Sequence, residues 1–283
     1  MNTNDMTLKE KSYFYQHKRD YTIDIDNFIV VHIDGRSFSK MVKNKFEKPF
    51  SNDFINMMNK TAIYLCEQIQ GAQMAYVQSD EITLILKKKN PESDVFFSGR
   101  LCKMHSIIAS LASTNFNKMM LQYNITKNSY SNTLEDCEGT LYTIKDVIEF
   151  IGEQPNYQFD CKVWDVPNAN EAMSWLLFRN IDCVRNSKQQ TAQSYLPHKI
   201  LVGKSTDEQI QLLYEKEGIE WSKFEEGKKY GRFIVKEYVE CTREEKGQEI
   251  TFTRSKWTIK NGMDLTNQNN REILKEMCSI LKE

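Results

Sequence analysis

Residues 27–33 (NFIVVHI) form a β-branched apolar run that stops at Asp34-Gly35, and this run constrains the fold more tightly than any other feature. An apolar run of that length bounded by a turn dipeptide reads as a buried strand, and it carries a carboxylate to the strand's end. Residues 51–70 then repeat apolar positions at Phe54, Met57, Met58, Ala62, Leu65 and Ile69. That spacing predicts an amphipathic helix, with Ser51 as N-cap and Gly71 as stop. Residues 72–78 and 82–87 are apolar and β-prone with Ser79-Asp80-Glu81 between them, which predicts a hairpin carrying two acids at its tip. A second helical face runs from about 97 to 120 through Leu101, Met104, Ile108, Leu111 and Phe116, and residues 157–165 alternate like a strand.

The order strand, helix, strand, strand, helix, strand is that of an α+β, ferredoxin-like domain. Residues 121–156 interrupt it. They are rich in Asn, Ser, Asp and Glu, carry a weak helical pattern at 140–151, and are expected as a surface insertion. After Pro167 the pattern changes to a long helix at about 168–188, a charged helix near 205–217, strands near 231–240 and 249–259, and a final helix near 268–282. The expected division is a catalytic domain over 1–167 and a smaller lobe over 168–283.

The chain has 283 residues, 40% of them hydrophobic, enough to bury one large core or two modest ones. Its 38 basic and 39 acidic residues leave a net charge of −1, so any nucleic-acid site has to be a local basic patch. The seven cysteines are odd in number, widely spaced and without a CxxC pair, which argues against a disulfide framework or a zinc knuckle. No apolar run approaches the roughly 18 residues of a membrane span, and the start MNTNDMTLKEK lacks the apolar core of a signal peptide. A soluble, cytoplasmic protein is expected.

In such a sheet the end of the first strand lies beside the tip of the central hairpin, so Asp34 and Asp80 should converge, with Glu81 one position further. Carboxylates crowded together without a cation repel one another and stay partly protonated. As hard oxygen ligands they suit Mg²⁺, and a two-cation clamp on a displaced phosphate follows. Gly35, lacking a β-carbon, lets its backbone approach a metal or phosphate closely. Asp-Gly is also a common turn dipeptide, and Ser-Asp-Glu an ordinary solvated tip. The residues alone leave both readings open.

The segments IDGRSFSKMVKNKFEKPF (33–50) and AYVQSDEITLIL (75–86) closely resemble the tRNA-histidine guanylyltransferase family and its guanylyltransferase-like relatives, the 3′-to-5′ RNA polymerases. The resemblance continues at GRLCKMHSIIASLAS (99–113), FDCKVWDVP (159–167) and WLLFRNIDCVRNS (175–187), then fades. It implies a polymerase-like palm domain with a fingers-like C-terminal lobe, and two Mg²⁺ ions held by Asp34, the Gly35 carbonyl and Asp80, with Glu81 in support. It also implies nucleotide contacts at Asp34, Gly35, Arg36, Ser37, Phe38, Ser39, Ser79 and Asp80, triphosphate contacts at Arg100 and Lys103, and 5′-end activation through Lys48. Arg100 and Lys103, three apart, share a helix face, which is equally what a solvated face looks like. The implied substrates are ATP, GTP and other nucleoside triphosphates, the implied partner is tRNA, and the implied assembly is a tetramer. The implied reaction adenylylates a 5′-monophosphorylated tRNA, after which the 3′-hydroxyl of an incoming nucleotide attacks the activated 5′ phosphate.

The HINNLYN signature of the eukaryotic-type enzymes is absent. After Asp182-Cys183 this chain reads Val184-Arg185-Asn186-Ser187-Lys188, similar to the branch that repairs 5′-truncated tRNAs by templated addition. Arg185, Asn186 and Lys188 are expected either to contact RNA phosphates from a helix end or simply to cap it. The four histidines show no ligand spacing, and Trp164, Trp175, Trp221 and Trp257 read as packing anchors. Competing readings are a tRNA-His guanylyltransferase adding a single G, a nucleotide cyclase, and a palm that only binds nucleotide or RNA.

Overall fold

The computed structural model describes residues 5–18, 20–127, 152, 155–245 and 248–282. Helix α1 (Leu8–His17) opens on a capping box between Thr7 and Glu10. Strand β1 (Phe28–Gly35) follows, then a short helix α2 (Phe38–Lys45) and the long α3 (Asn52–Gln68). Ser51 caps α3 by accepting from the Phe54 N–H, as its place before the apolar stripe predicts. Gly71, at φ 91°, turns the chain out of it into β2 (Ala72–Gln78), and β3 (Glu81–Leu86) completes the hairpin.

Helix α4 (Leu101–Lys127) is displaced from the expected 97–120 at both ends. Phe97, Ser98 and Gly99 take positive φ values, so a helix cannot begin there. At its other end Met120 and Asn124 are buried on the same face as Phe116, so the helix runs on into what reads as insertion in the sequence. The pattern at 140–151 lies outside the described residues. Strand β4 (Phe159–Val166) returns along the sheet.

The C-terminal part begins with α5 (Ala169–Tyr195), which extends past the expected 188 because Ser187, Thr191 and Ala192 continue its buried stripe until Pro197. Helix α6 (Thr206–Glu217), strands β5 (Arg232–Glu245) and β6 (Gln248–Asn261) and helix α7 (Gln268–Met277) complete it.

Among the described residues the strands form a six-stranded antiparallel sheet ordered β4-β1-β3-β2-β5-β6. The first four are in ferredoxin-like order. Strand β5 joins β2 over Met74–Val77, so the C-terminal part supplies two strands to the same sheet, and beyond Val235 the β5–β6 pair runs on as a two-stranded ribbon. Alternation along β1 explains its continuous apolar character. Ile29, Val31 and Ile33 pack into a core with α3 and α4, while Phe28 and Val30 pack into a second core with α5 and α7.

Candidate active site

The register of β1 with β3 sets Asp34 opposite Glu81, and the Gly35 N–H donates to the Asp80 carbonyl at 3.1 Å. The strand end and the hairpin tip are thereby fastened together. Ser79 makes the tip with φ 45°, and Ser37, beyond Gly35, has φ 60°. Few non-glycine residues adopt such a conformation, and held ones concentrate at functional sites.

Gly35 has a packing reason to be glycine as well. A β-carbon there would lie 2.6 Å from Phe38 Cγ. The Phe38 ring cannot yield, because it is 1% exposed and packed among Phe54, Phe116, Tyr157 and Phe159 at centroid distances of 4.8–6.4 Å. Phe38 is therefore a core residue, and only its backbone is left for the nucleotide contact implied by the sequence. Arg36 donates from Nη1 to Gln158 Oε1 at 3.0 Å.

Burial, then the carboxylates of Asp80, Glu81 and Asp160, push the Asp34 carboxyl up to about 6. Burial also raises Asp80, against a hydrogen bond from Ser79. Asp160 stands opposite Asp34 on β4. Its part was not visible in the sequence, where nothing marks which strand will flank β1.

Glu81 has partners of its own. It accepts from the Arg179 guanidinium and, at 2.8 Å, from Gln78 Nε2. Arg179 in turn donates to Asp182 at 2.9 Å, and Asp182 receives Arg185 and, at 3.3 Å, Asn186 Nδ2. This chain of charges ties α5 to the β2–β3 hairpin. Arg179 and Asp182 were missed in the sequence, although their spacing of three on one helix face was the available signal. His32 sits 4.0 Å from Glu81 and edge-on to Trp175, and burial depresses its pKa, opposed by Glu81.

A cavity of about 460 Å³ opens beside Asp80, lined by Ser39, Lys43, Lys48, Ser79, Gln190 and His198 among others. Lys48 thus comes to the acids as the sequence implies. Arg100 and Lys103 do not. Ser113 and Asn117 of α4 bond to Phe159 and Tyr157 at the acid end of the sheet, whereas Arg100 is bridged to Thr22 at the other end. A helix rise of about 1.5 Å per residue sets Arg100 about 20 Å from that end. Within one copy, α4 carries these two cations away from the acid end of the sheet.

Arg185, Asn186 and Lys188 lie inside α5, not at its end, so neither a cap nor helix-end phosphate contacts apply. The Arg185 side chain is 62% exposed but ion-paired to Asp182, and Lys188 binds Asp207 at 2.5 Å and lies over Trp221. Among the described residues no group of three or more His, Cys, Asp or Glu side chains is placed to hold a metal ion, and no helix is long and apolar enough to cross a membrane.

Residues 11–167, more than half the chain, match the family described as Thg1: tRNAHis guanylyltransferase. The chain belongs to this family. Its members are nucleotidyltransferases, and the chain is 25% identical over 250 residues to the tRNA(His) guanylyltransferase of Debaryomyces hansenii, covering 84% of each. It is 30% identical over 257 residues to an uncharacterized protein of Acanthamoeba polyphaga mimivirus, covering 87% of this chain and 82% of that one. The fold is shared with a bacterial tRNA(His) guanylyltransferase (Thg1)-like protein solved in complex with ATP, at TM-score 0.74 and 23% identity, over 96% of this chain and 99% of that one. The α+β architecture expected from the sequence, with its palm-like sheet, is that of the family.

Proposed function

We propose that this chain extends the 5′ end of a tRNA with nucleotides taken from nucleoside triphosphates, and that it does so by templated repair of truncated ends. The observation that carries this reading is the fastening of Gly35, next to Asp34, to the Asp80 carbonyl, with Asp80 lining a cavity that also holds Lys43 and Lys48.

The donor set fits Mg²⁺. Asp34, Asp80 and the Gly35 carbonyl are hard oxygen ligands, and burial first, then the carboxylates of Asp80, Glu81 and Asp160, oppose ionisation of Asp34, an opposition that a bound cation would relieve. When bound, two such ions would lower the pKa of an attacking hydroxyl and neutralise a triphosphate. The protein's own part is positioning. Glu81, already engaged by Arg179 and Gln78, holds the hairpin and the acids above it in place. Lys48 and Lys43 offer point charges to phosphate oxygens in the cavity. In the first stage a 5′-phosphate oxygen attacks the α-phosphorus of ATP and expels pyrophosphate. In the second the 3′-hydroxyl of the incoming nucleotide attacks the activated 5′ phosphorus, releases AMP and loses its proton to solvent.

Repair is favoured over addition of one G by the segment after Asp182-Cys183. Arg185 and Asn186, in place of the HINNLYN signature, are drawn into the Asp182–Arg179–Glu81 chain. The test is extension of 5′-truncated tRNAs whose opposing bases are varied. Repair predicts that the added base follows its opposite base. Addition of G alone, whatever stands opposite, establishes the single-G reading instead, and cyclic product from nucleotide without RNA establishes a cyclase. Asp80→Ala is expected to abolish extension, and undiminished extension would remove Asp80 from the metal site.

A further inference from the structure

Four charged side chains run in a line from the surface of α5 to the hairpin tip. Arg179, Asp182 and Arg185 are three apart on α5 and share a helix face. Arg185 donates from Nη2 to Asp182 Oδ1. Arg179 donates from Nη2 to Asp182 Oδ2 at 2.9 Å, and from the same nitrogen to Glu81 Oε2. The side chains of Arg179, Asp182 and Glu81 are shielded, whereas that of Arg185 is 62% exposed. Two acids thus draw on one nitrogen of one guanidinium. A guanidinium meets a single carboxylate best through two parallel N–H bonds, and Arg179 forms no such pair, because its Nε has no hydrogen-bond partner among the described residues. That atom is buried, so the group that would satisfy it belongs to the protein. Turning wholly onto either acid would give it one.

Competition at Asp182 decides where Arg179 rests. Asp182 also carries Arg185 and, at 3.3 Å, Asn186 Nδ2. With Arg185 removed, Asp182 is one cation short and draws Arg179 away from Glu81. Gln78, which donates to Glu81 at 2.8 Å, keeps that carboxylate in place. A Glu81 without its guanidinium puts more negative charge beside Asp34 and Asp80, whose carboxyls it already helps to push up, and a divalent cation there is held more tightly. We propose that Arg179 is a two-position switch, through which an RNA phosphate that takes Arg185 from Asp182 strengthens metal binding at Asp34 and Asp80. Asp182 and Arg179 are positioning residues in this scheme, acting on the ion only through Glu81. Linkage makes the effect mutual, so a bound cation strengthens the hold on RNA by the same factor. The inference rests on the RNA and Mg²⁺ readings proposed above.

The test is a mutant cycle on Mg²⁺ affinity, read without RNA from the rise in the whole protein's melting temperature with Mg²⁺ concentration. Arg185→Met frees Asp182 as a phosphate would, and is expected to tighten Mg²⁺ by about fivefold, the lower end of couplings between sites. In an Asp182→Asn background the same substitution should change nothing, because the asparagine has no charge to redirect. Arg179→Lys keeps the buried cation without the guanidinium fork and should also abolish the response, which covers an Asp182→Asn chain that does not fold. An equal gain in every background would be the plain loss of a nearby positive charge, and no gain in any would leave the four groups structural; each overturns the inference. In a second arm the parent should bind tRNA more tightly than Arg185→Met does, and equal binding would remove the phosphate trigger and overturn it too. A parent whose melting temperature ignores Mg²⁺ would sink the metal reading and the inference with it. If the parent extends no tRNA yet both arms come out as expected, the extension reading fails and the switch stands.

Discussion

Asp34 ionises against its surroundings, because burial removes water and Asp80, Glu81 and Asp160 supply like charge. A carboxyl whose folded pKa, about 6, lies above its ordinary 3.8 lowers stability as it ionises. That penalty is absent below pH 3.8, grows through the interval and is complete above about 6. Without metal, Asp34→Asn should therefore melt above the parent protein at pH 8, with the gap closing as pH falls toward 4. Equal melting curves at pH 8 would mean that neither burial nor like charge opposes ionisation of Asp34. Mg²⁺ should raise the parent's melting temperature more at pH 8 than at pH 5, since ligation needs the ionised form. Arg179 is the opposite case, a buried cation whose loss strands Glu81 and Asp182. Arg179→Ala should lower unfolding free energy by about 3 kcal/mol in chemical denaturation, with extension activity falling as Glu81 loses its anchor.

At the scale of elements, β1 and its turn carry the site, and their sequence is answerable to packing as much as to chemistry. Gly35→Ala forces a methyl group into the Phe38 ring, and the ring is locked by its aromatic neighbours. The expected result is a loss of about 1–3 kcal/mol together with reduced extension, although both acids remain. A fully active Gly35→Ala protein would show that the turn can relax. The placement of α3 was legible because Ser51, the apolar stripe and Gly71 are local signals. The start of α4 was not, because Phe97 and Ser98 adopt left-handed conformations that nothing in their side chains announces. The end of α5 was missed because the buried face there is lined by small hydroxyl residues: Ser187 donates to the Lys228 carbonyl and Thr191 to its own helix.

For the whole molecule, a net charge of −1 leaves tRNA attraction to local clusters such as Lys43 and Lys48. Binding of tRNA should weaken with salt, and Lys43→Ala and Lys48→Ala should each make the log–log salt slope shallower by about 1 in filter-binding titrations. Arg100 and Lys103 sit on the part of α4 away from the acid end of the sheet in one copy. If the tetramer expected from the family lends them across copies, a mixed assembly of Asp80→Ala chains and Arg100→Ala/Lys103→Ala chains should recover activity that neither has alone. No recovery would place both cations on the solvated face that their spacing equally suits.

The strand and helix order, the two acids at a strand end and a hairpin tip, and the Ser51 cap were determined by the sequence itself, because alternation, helical period and turn chemistry act between neighbours in the chain. The motifs around Asp34 and Asp80 likewise sufficed for the family. Only the tertiary structure decided that Glu81 is held by Arg179, that Asp160 presses on Asp34, that β5 joins β2, and that Arg100 sits at the far end of α4. Those outcomes depend on which segments become adjacent in space, and burial there sets the strength of every charge.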